Sequence, residues 1–232
     1  MSNIDKIMIV AAHPDDEVLG CGGTVARLSM EGSDVYTIIL GEGVTSRDRK
    51  RDLTKMENEI AELKKQAKSA NKILGVKKTY TFDFSDNRFD TVPLLDIIKI
   101  IEKVKNDIKP DIVFTHHHGD LNIDHQLTFK AVMTACRPLK EESVKEIYSF
   151  EVPSSTEWNM PSSSFCFVPN YFVNISKTLE VKIKAMKKYK SEIGDILHPR
   201  SSKSIEMIAK RWGVQVGIGA AEAFEVIRLV QV

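Results

Sequence analysis

The chain has 232 residues, 42% of them hydrophobic, and its 33 basic residues nearly balance its 32 acidic ones. This length and apolar content suffice to bury a core without disulfides, and the charge balance excludes a net field that would select nucleic acid or an anionic membrane. The three cysteines, Cys21, Cys136 and Cys166, are widely spaced and form no CxxC pair, which argues against a disulfide framework and a thiolate metal site.

The amino-terminal residues are polar, and the apolar run at 7–12 is too short for the hydrophobic region of a signal peptide. No stretch approaches the ~18 apolar residues that a transmembrane helix needs. We therefore expect a cytoplasmic protein without a membrane span, folded as a single domain over residues 1–232. The sequence leaves assembly into a homo-oligomer open.

The first two thirds of the chain alternate apolar strands with amphipathic helices. The predicted elements are a strand at 7–12, a helix through 18–28, a strand at 35–40, a helix at 51–74, a strand at 80–82, a helix from 93 to 104, a strand at 111–115, a helix from about 124 to 136 and a strand at 147–152. Continuous apolar runs such as 7–12 are typical of parallel strands buried on both faces. This alternation predicts an α/β protein with a Rossmann-like three-layer fold and a mostly parallel sheet.

The carboxyl-terminal third has a less regular pattern. Prolines at 153, 161 and 169, with serines between them, predict an irregular segment. The remaining predicted elements are a strand at 171–173, helices at 177–189 and 205–212, and a closing strand at 224–230. Six lysines of the first of these helices and its end are expected to form a solvated face: Lys177, Lys182, Lys184, Lys187, Lys188 and Lys190.

Two clusters of histidine and acidic residues follow predicted strands. The segment His13 to Glu17 follows the first strand, and His116 to His125 follows the strand at 111–115. Because ligands of open parallel sheets bind at the carboxyl ends of the strands, we expect the two clusters to meet. Histidine and carboxylate bind zinc, a catalytic site keeps a position for water, and a neighbouring carboxylate can accept a proton. Asp15 and Asp16 are adjacent in a tight turn and should point differently, but the pattern does not assign ligand and base between them.

The residues of these clusters resemble a known family. His13-Pro14-Asp15-Asp16-Glu17 after an apolar strand, with Asp124-His125 further on, resembles the PIG-L/LmbE family of zinc-dependent N-acetylglucosaminyl deacetylases. The segment 219–224 is similar to the closing segment of that family. The resemblance implies a hydrolase that removes an N-acetyl group from an amino sugar, a nucleotide sugar or a sugar conjugate and releases acetate.

The resemblance also implies roles for individual residues. His13, Asp16 and His125 would bind Zn²⁺, in a site that also tolerates Fe²⁺, Co²⁺ or Ni²⁺. Asp15 would be the general base, and Asp124 would orient an imidazole.

One position departs from the family pattern. Many members have a histidine three residues before the last ligand, where this chain has Asn122. An asparagine amide can donate a hydrogen bond to an oxyanion but cannot transfer a proton. The acid for the leaving group would then be protonated Asp15, with His198 as the second candidate.

Five residues are candidates for substrate contacts: Arg47, Arg88, His116, His198 and Arg200. Arg47 follows a glycine-containing turn, Arg88 lies in a polar loop, and His116 ends a strand. His198 and Arg200 belong to a segment similar to one in part of the family, and Arg200 could bind an anion as a bidentate fork.

Two alternatives remain open at this point. One is a metal- or sugar-binding protein without catalysis, although an intact Asp15 argues against it. The other is a different metal-assisted hydrolase, for instance on a phosphoester, that uses the same ligands. Gly20, Gly22 and Gly23 lack the GxGxxG spacing, so dinucleotide binding is not expected.

Overall fold

A seven-stranded sheet organises the computed structural model, which describes residues 5–46 and 53–231. The strands are β1 Lys6–Ala11, β2 Asp34–Gly41, β3 Lys78–Phe84, β4 Ile112–His116, β5 Glu146–Phe150, β6 Tyr171–Asn174 and β7 Ala221–Leu229. Their spatial order is β3-β2-β1-β4-β5-β7-β6, in which β1 to β5 are parallel and β7 is antiparallel to both its neighbours. The predicted Rossmann-like, mostly parallel sheet is confirmed.

Helices cover both faces of this sheet. They are α1 Asp16–Met30, α2 Leu53–Leu74, α3 Leu94–Ile108, α4 Ile123–Ala135, α5 Leu179–Met186 and α6 Ser202–Gln215, with short 3-10 turns at Phe89–Thr91 and Thr156–Trp158. The apolar side chains of α1, α2 and α5 share one core, and those of α3 and α4 share another. No helix of the described residues is long and apolar enough to cross a membrane.

Strand β1 explains why the apolar run at 7–12 is continuous. Ile7, Ile9 and Ala11 face the first core, whereas Met8 and Val10 face the second. Successive side chains of a strand point to opposite faces, so a strand buried on both sides needs apolar residues throughout.

The strand order places a crevice at the carboxyl ends of β1 and β4. The chain proceeds from β1 outward through β2 to β3, and then returns to the other side of β1 with β4. The connections on the two sides of this point lead in opposite directions, which opens a space between the loops. The two polar clusters leave the sheet at this switch point.

Several element boundaries differ from the sequence prediction. Strand β7 begins three residues early, at Ala221, because its pairing with β6 begins there, opposite Asn174. Helix α6 begins at Ser202, since the Ser201 hydroxyl accepts a hydrogen bond from Ser204 N and caps the helix. Helix α5 is shorter than predicted.

A buried glutamate supports a kink in α1. The backbone leaves helical geometry at Cys21, where φ is −144°. The amide groups of Gly23 and Thr24 donate instead to the Glu222 carboxylate, over 2.9 and 2.6 Å. Glu222 thus caps the second half of α1 from strand β7.

The expectation for Lys182 is wrong. Its side chain is buried, and Nζ donates to Glu222 Oε1 over 2.6 Å and to Leu19 O over 2.7 Å. The charge of Glu222 attracts this one lysine out of solvent, whereas the other five lysines are exposed as expected.

We expect Glu222→Gln to lower the free energy of unfolding by about 3–5 kcal/mol, because it leaves the buried Lys182 charge without its partner. Urea unfolding followed by circular dichroism measures this loss. Glu180→Gln, at an exposed position of α5, is the matched control and should change stability by less than about 0.5 kcal/mol. Equal effects of the two substitutions would contradict the role of Glu222.

Candidate active site

Three buried side chains meet in the crevice between β1 and β4. His13 follows β1, Asp16 begins α1, and His125 lies in the first turn of α4. His13 Nδ1 is 3.3 Å from His125 Nε2 and 3.5 Å from Asp16 Oδ2, and the latter two atoms are 3.3 Å apart. The three atoms form a nearly equilateral triangle.

Each imidazole of this triangle has a carboxylate at its other nitrogen. His13 Nε2 lies 2.9 Å from Asp124 Oδ2 and 3.2 Å from Asp86 Oδ1. His125 Nδ1 lies 3.1 Å from Asp120 Oδ1, close enough for an ion pair although not well aligned for a hydrogen bond. Carboxylates favour a hydrogen on the nitrogen that they face, so in the neutral rings the nitrogens inside the triangle are the ones that present lone pairs.

The triangle fits a divalent cation. Lone pairs of two imidazoles and a carboxylate oxygen repel one another at 3.3–3.5 Å unless a positive charge lies among them. A tetrahedral ion with bonds of 2.0–2.1 Å requires ligand atoms about 3.3–3.4 Å apart. Burial lowers the pKa of the His125 imidazole, but Asp16 and Asp120 outweigh this effect and raise that pKa to about 9. The surroundings thus attract positive charge.

Asp15 adjoins this triangle in a strained conformation. Its φ of 103° is in the left-handed region, which costs about 1–3 kcal/mol for a residue other than glycine. Its backbone N–H donates to Glu17 Oε2, and Arg200 Nη1 donates to its carboxylate Oδ2 over 2.8 Å. Burial raises the pKa of the Asp15 carboxyl well above its ordinary range, against the opposing effect of Arg200.

Glu17 holds this turn in place from within the core. Its carboxylate accepts hydrogen bonds from Asn71 Nδ2 and the Tyr189 hydroxyl as well as from Asp15 N. Burial raises the pKa of Glu17 to about 7. The acidic residue that ends the first polar cluster therefore supports its backbone.

Asn122 caps helix α4. Its Oδ1 accepts a hydrogen bond from Asp124 N over 2.8 Å, and its Nδ2 donates to Asn87 Oδ1 over 2.9 Å. The amide that could donate to an oxyanion is thus paired with Asn87, and its catalytic role stays a prediction.

The structure places the five candidate substrate residues in different surroundings. His116 is fully buried, its Nε2 accepts a hydrogen bond from Ala12 N, and burial lowers its pKa to about 3. These surroundings favour a neutral supporting ring over a substrate contact. Arg88 is exposed and His198 is partly exposed. Arg200 contacts Asp15 and the Ser154 hydroxyl, and Arg47 lies outside the described residues.

His117 and His118 form a second group with Glu225. His117 Nδ1 lies 2.7 Å from Glu225 Oε2, while its Nε2 lies 3.0 Å from Phe165 O. Burial lowers the pKa of His117, but the hydrogen bonds to Glu225 and to Phe165 O outweigh this effect, so the pKa lies above its ordinary value. Both ring nitrogens face acceptors, which suits an imidazolium that fastens the loop around Phe165 to the sheet.

Asp86 and Asp120, the carboxylates beside the imidazoles, belong to the predicted polar loop and to the second predicted cluster, but no role of their own was predicted for them. Asp86 follows β3 and Asp120 follows β4 at the same edge of the sheet. Asp120 is itself held by the hydroxyl groups of Ser155 and Thr156. Position after a parallel strand was the signal that could have identified both aspartates.

The chain is similar in sequence to known deacetylases. An uncharacterized deacetylase of Escherichia coli, YaiS, is 31% identical over 191 residues, which cover 80% of this chain and 90% of that protein. The diacetylchitobiose deacetylase of Thermococcus kodakarensis is 27% identical over 231 residues, which cover 97% of this chain and 84% of that protein.

A solved structure of an enzyme with a different activity has the same fold. The 4-carboxy-2-hydroxymuconate hydratase GalB of Pseudomonas putida superimposes with a TM-score of 0.76 at 20% identity, over 99% of each chain. The fold therefore also supports chemistry other than deacetylation.

The family model of the GlcNAc-PI de-N-acetylases matches residues 8–136, which is more than half of the chain and contains the entire triangle. Together with the similarity to the Escherichia coli deacetylase, this match means that the chain belongs to the PIG-L family of de-N-acetylases.

Proposed function

We propose that this chain is a metal-dependent hydrolase that removes the N-acetyl group from an amino sugar, a nucleotide sugar or a sugar conjugate and releases acetate. The observation that carries the proposal is the triangle of three lone-pair donors with a buried carboxylate, Asp15, beside it. The relative from Thermococcus kodakarensis, named for its action on diacetylchitobiose, supports an N-acetylglucosamine unit as substrate.

In this proposal His13, Asp16 and His125 hold Zn²⁺, whose bond lengths match the triangle. A bound zinc ion supplies Lewis-acid polarisation of the amide carbonyl and makes water more acidic. Asp124 and Asp86 hold the His13 ring in the orientation that directs its Nδ1 lone pair inward.

Asp15 moves the proton. Burial raises the pKa of the Asp15 carboxyl and so makes the carboxylate a stronger base, which suits it to accept a proton from the attacking water. The water oxygen bonds to the carbonyl carbon, the C–N bond of the acetamide then breaks, and protonated Asp15 returns the proton to the departing nitrogen. The products are acetate and the free amine, and Asn122 is the proposed further donor to the oxyanion.

Substrate contacts beyond the reacting amide are assigned to Arg47, Arg88, His198 and Arg200. His116 is retained only as a supporting ring, because no part of it is exposed. All three cysteines are free thiols, which agrees with the cytoplasm as the proposed location.

An acetate-release assay tests the function against its rivals. Zinc-loaded protein is incubated with N-acetylglucosamine, its β-1,4-linked dimer and UDP-N-acetylglucosamine, with a phosphate monoester as the rival substrate. Release of acetate and amine in equal amounts is the expected result. Phosphate release without acetate would favour the other hydrolase, and sugar binding without any product would favour a binding protein.

Substitution of the two histidines tests the metal site. His13→Ala and His125→Ala each remove a donor of the triangle, so we expect bound zinc to fall from about one ion per chain to near zero. Metal analysis after gel filtration provides the measurement. His118→Ala, which alters the second histidine group, is the control and should retain zinc. Loss of zinc in the control alone would move the metal site to His117, His118 and Glu225.

Substitution of each adjacent aspartate separates their two roles. Asp15→Asn should keep the zinc and lower turnover by about 10²–10⁴-fold, the usual contribution of a general base. Asp16→Asn should lower zinc affinity. Steady-state kinetics and metal analysis of both variants decide between the roles, and the reversed pattern would mean that Asp15 is the ligand.

A further inference from the structure

A tryptophan stands beside the proposed active site without a role in the mechanism. Trp158 ends the 3-10 turn Thr156–Trp158 that follows β5, and its residue surface is 55% exposed. Thr156 Oγ1 of this turn donates to Asp120 Oδ2 over 2.5 Å, and Asp120 faces His125. The turn is therefore linked through Asp120 to His125, a proposed metal ligand.

A second set of contacts links Trp158 to Asp15, the proposed general base. Its ring centroid is 6.4 Å from that of His198, and the two planes meet edge to face at 83°. His198 Nδ1 accepts a hydrogen bond from Arg200 N, and Arg200 Nη1 donates to Asp15. The pair of rings thus lies between the elements that hold His125 and Asp15.

The surrounding backbone fixes this pair of rings. Asn159 Nδ2 donates to Gly119 O over 2.7 Å, and the Glu157 carboxylate accepts hydrogen bonds from Ser154 N and Ser155 N. On the other side, a Cβ atom added to Gly194 would lie 2.2 Å from His198 Cβ, so this glycine permits the tight fold of the 194–198 loop that carries His198.

A rigid and exposed aromatic face offers apolar contact area at low cost in conformational entropy. Ile196 and Leu197, next to His198 in the chain, are 65% and 90% exposed, so the segment that carries His198 also has apolar side chains at the surface. A pyranose ring has an apolar C–H face and polar edges, and it matches an apolar wall beside a polar catalytic centre.

We propose that Trp158, with His198 at its edge, forms the wall on which the sugar ring of the substrate stacks, and that this wall determines specificity for a ring-bearing acetamide. The inference rests on the proposed function, because it places the sugar whose acetamide reacts at the triangle. Trp158 binds the ring and takes no part in the proton transfers.

Intrinsic tryptophan fluorescence tests whether sugars bind at Trp158, and this measurement does not depend on catalysis. The chain has two tryptophans, and Trp212 is buried with its Nε1 bonded to Glu151, so changes in exposed-tryptophan emission report Trp158. The zinc-loaded full chain is titrated with N-acetylglucosamine and its β-1,4-linked dimer, and with acetamide as a probe that has the amide but no ring. We expect a saturable change with the sugars, none with acetamide, and its loss in Trp158→Phe.

Kinetics provide the second measurement. Trp158→Ala should raise KM about tenfold and leave kcat within about twofold, because an interaction that stabilises the ground and transition states equally affects KM alone. Trp158→Phe should recover part of the affinity, and zinc content should stay unchanged. Met30→Ala, which alters another exposed apolar side chain at the far end of α1, is the matched control and should behave as the unmodified chain.

The outcomes separate this inference from the proposed function. Acetate release with an unchanged KM in Trp158→Ala, or a sugar signal that persists in Trp158→Phe, would overturn the wall and leave the deacetylase intact. A sugar signal that requires Trp158, without any acetate release, would support the wall and overturn the deacetylase.

Discussion

The close approach of three metal-ligating types of side chain, His13, Asp16 and His125, is the constraint on which this structure depends. His13 Nδ1, Asp16 Oδ2 and His125 Nε2 lie 3.3–3.5 Å apart in a buried space, an arrangement that a shared cation makes favourable. The aspartates behind the imidazoles face the outer ring nitrogens, and the switch point of the sheet brings β1 and β4 together to make the arrangement possible. The supporting carboxylates and the proposed chemistry both follow from this one arrangement.

Backbone strain is concentrated around the same triangle. Among the described residues other than glycine, positive φ occurs at Asp15, Asn87 and Ser154, which are linked to the site, and at Lys109, which ends α3 elsewhere. The side chain of Arg200 bonds to both Asp15 and Ser154, and Asn87 bonds to the cap of α4. Arg200 lies beyond the segment that the family model matches, so the carboxyl-terminal third completes a site whose proposed ligands come from the first part of the chain.

The sequence predicted the features that local pattern determines. The run at 7–12 identified β1, and the polar residues after β1 and β4 identified the crevice, because strand burial and strand order fix where such residues emerge. Contacts between segments that are distant in the chain could not be predicted from these local patterns. The burial of Lys182 depends on Glu222, and the pairing of Arg200 with Asp15 depends on the path of an irregular segment without periodicity.

The most direct test of the central claim is a crystal structure of the zinc-loaded protein with anomalous diffraction recorded on both sides of the zinc absorption edge. The account predicts one strong anomalous peak within about 2.0–2.2 Å of His13 Nδ1, His125 Nε2 and a carboxylate oxygen of Asp16. A peak between His13 Nε2, Asp86 and Asp124, or one beside His117 and Glu225 with none in the triangle, would contradict it.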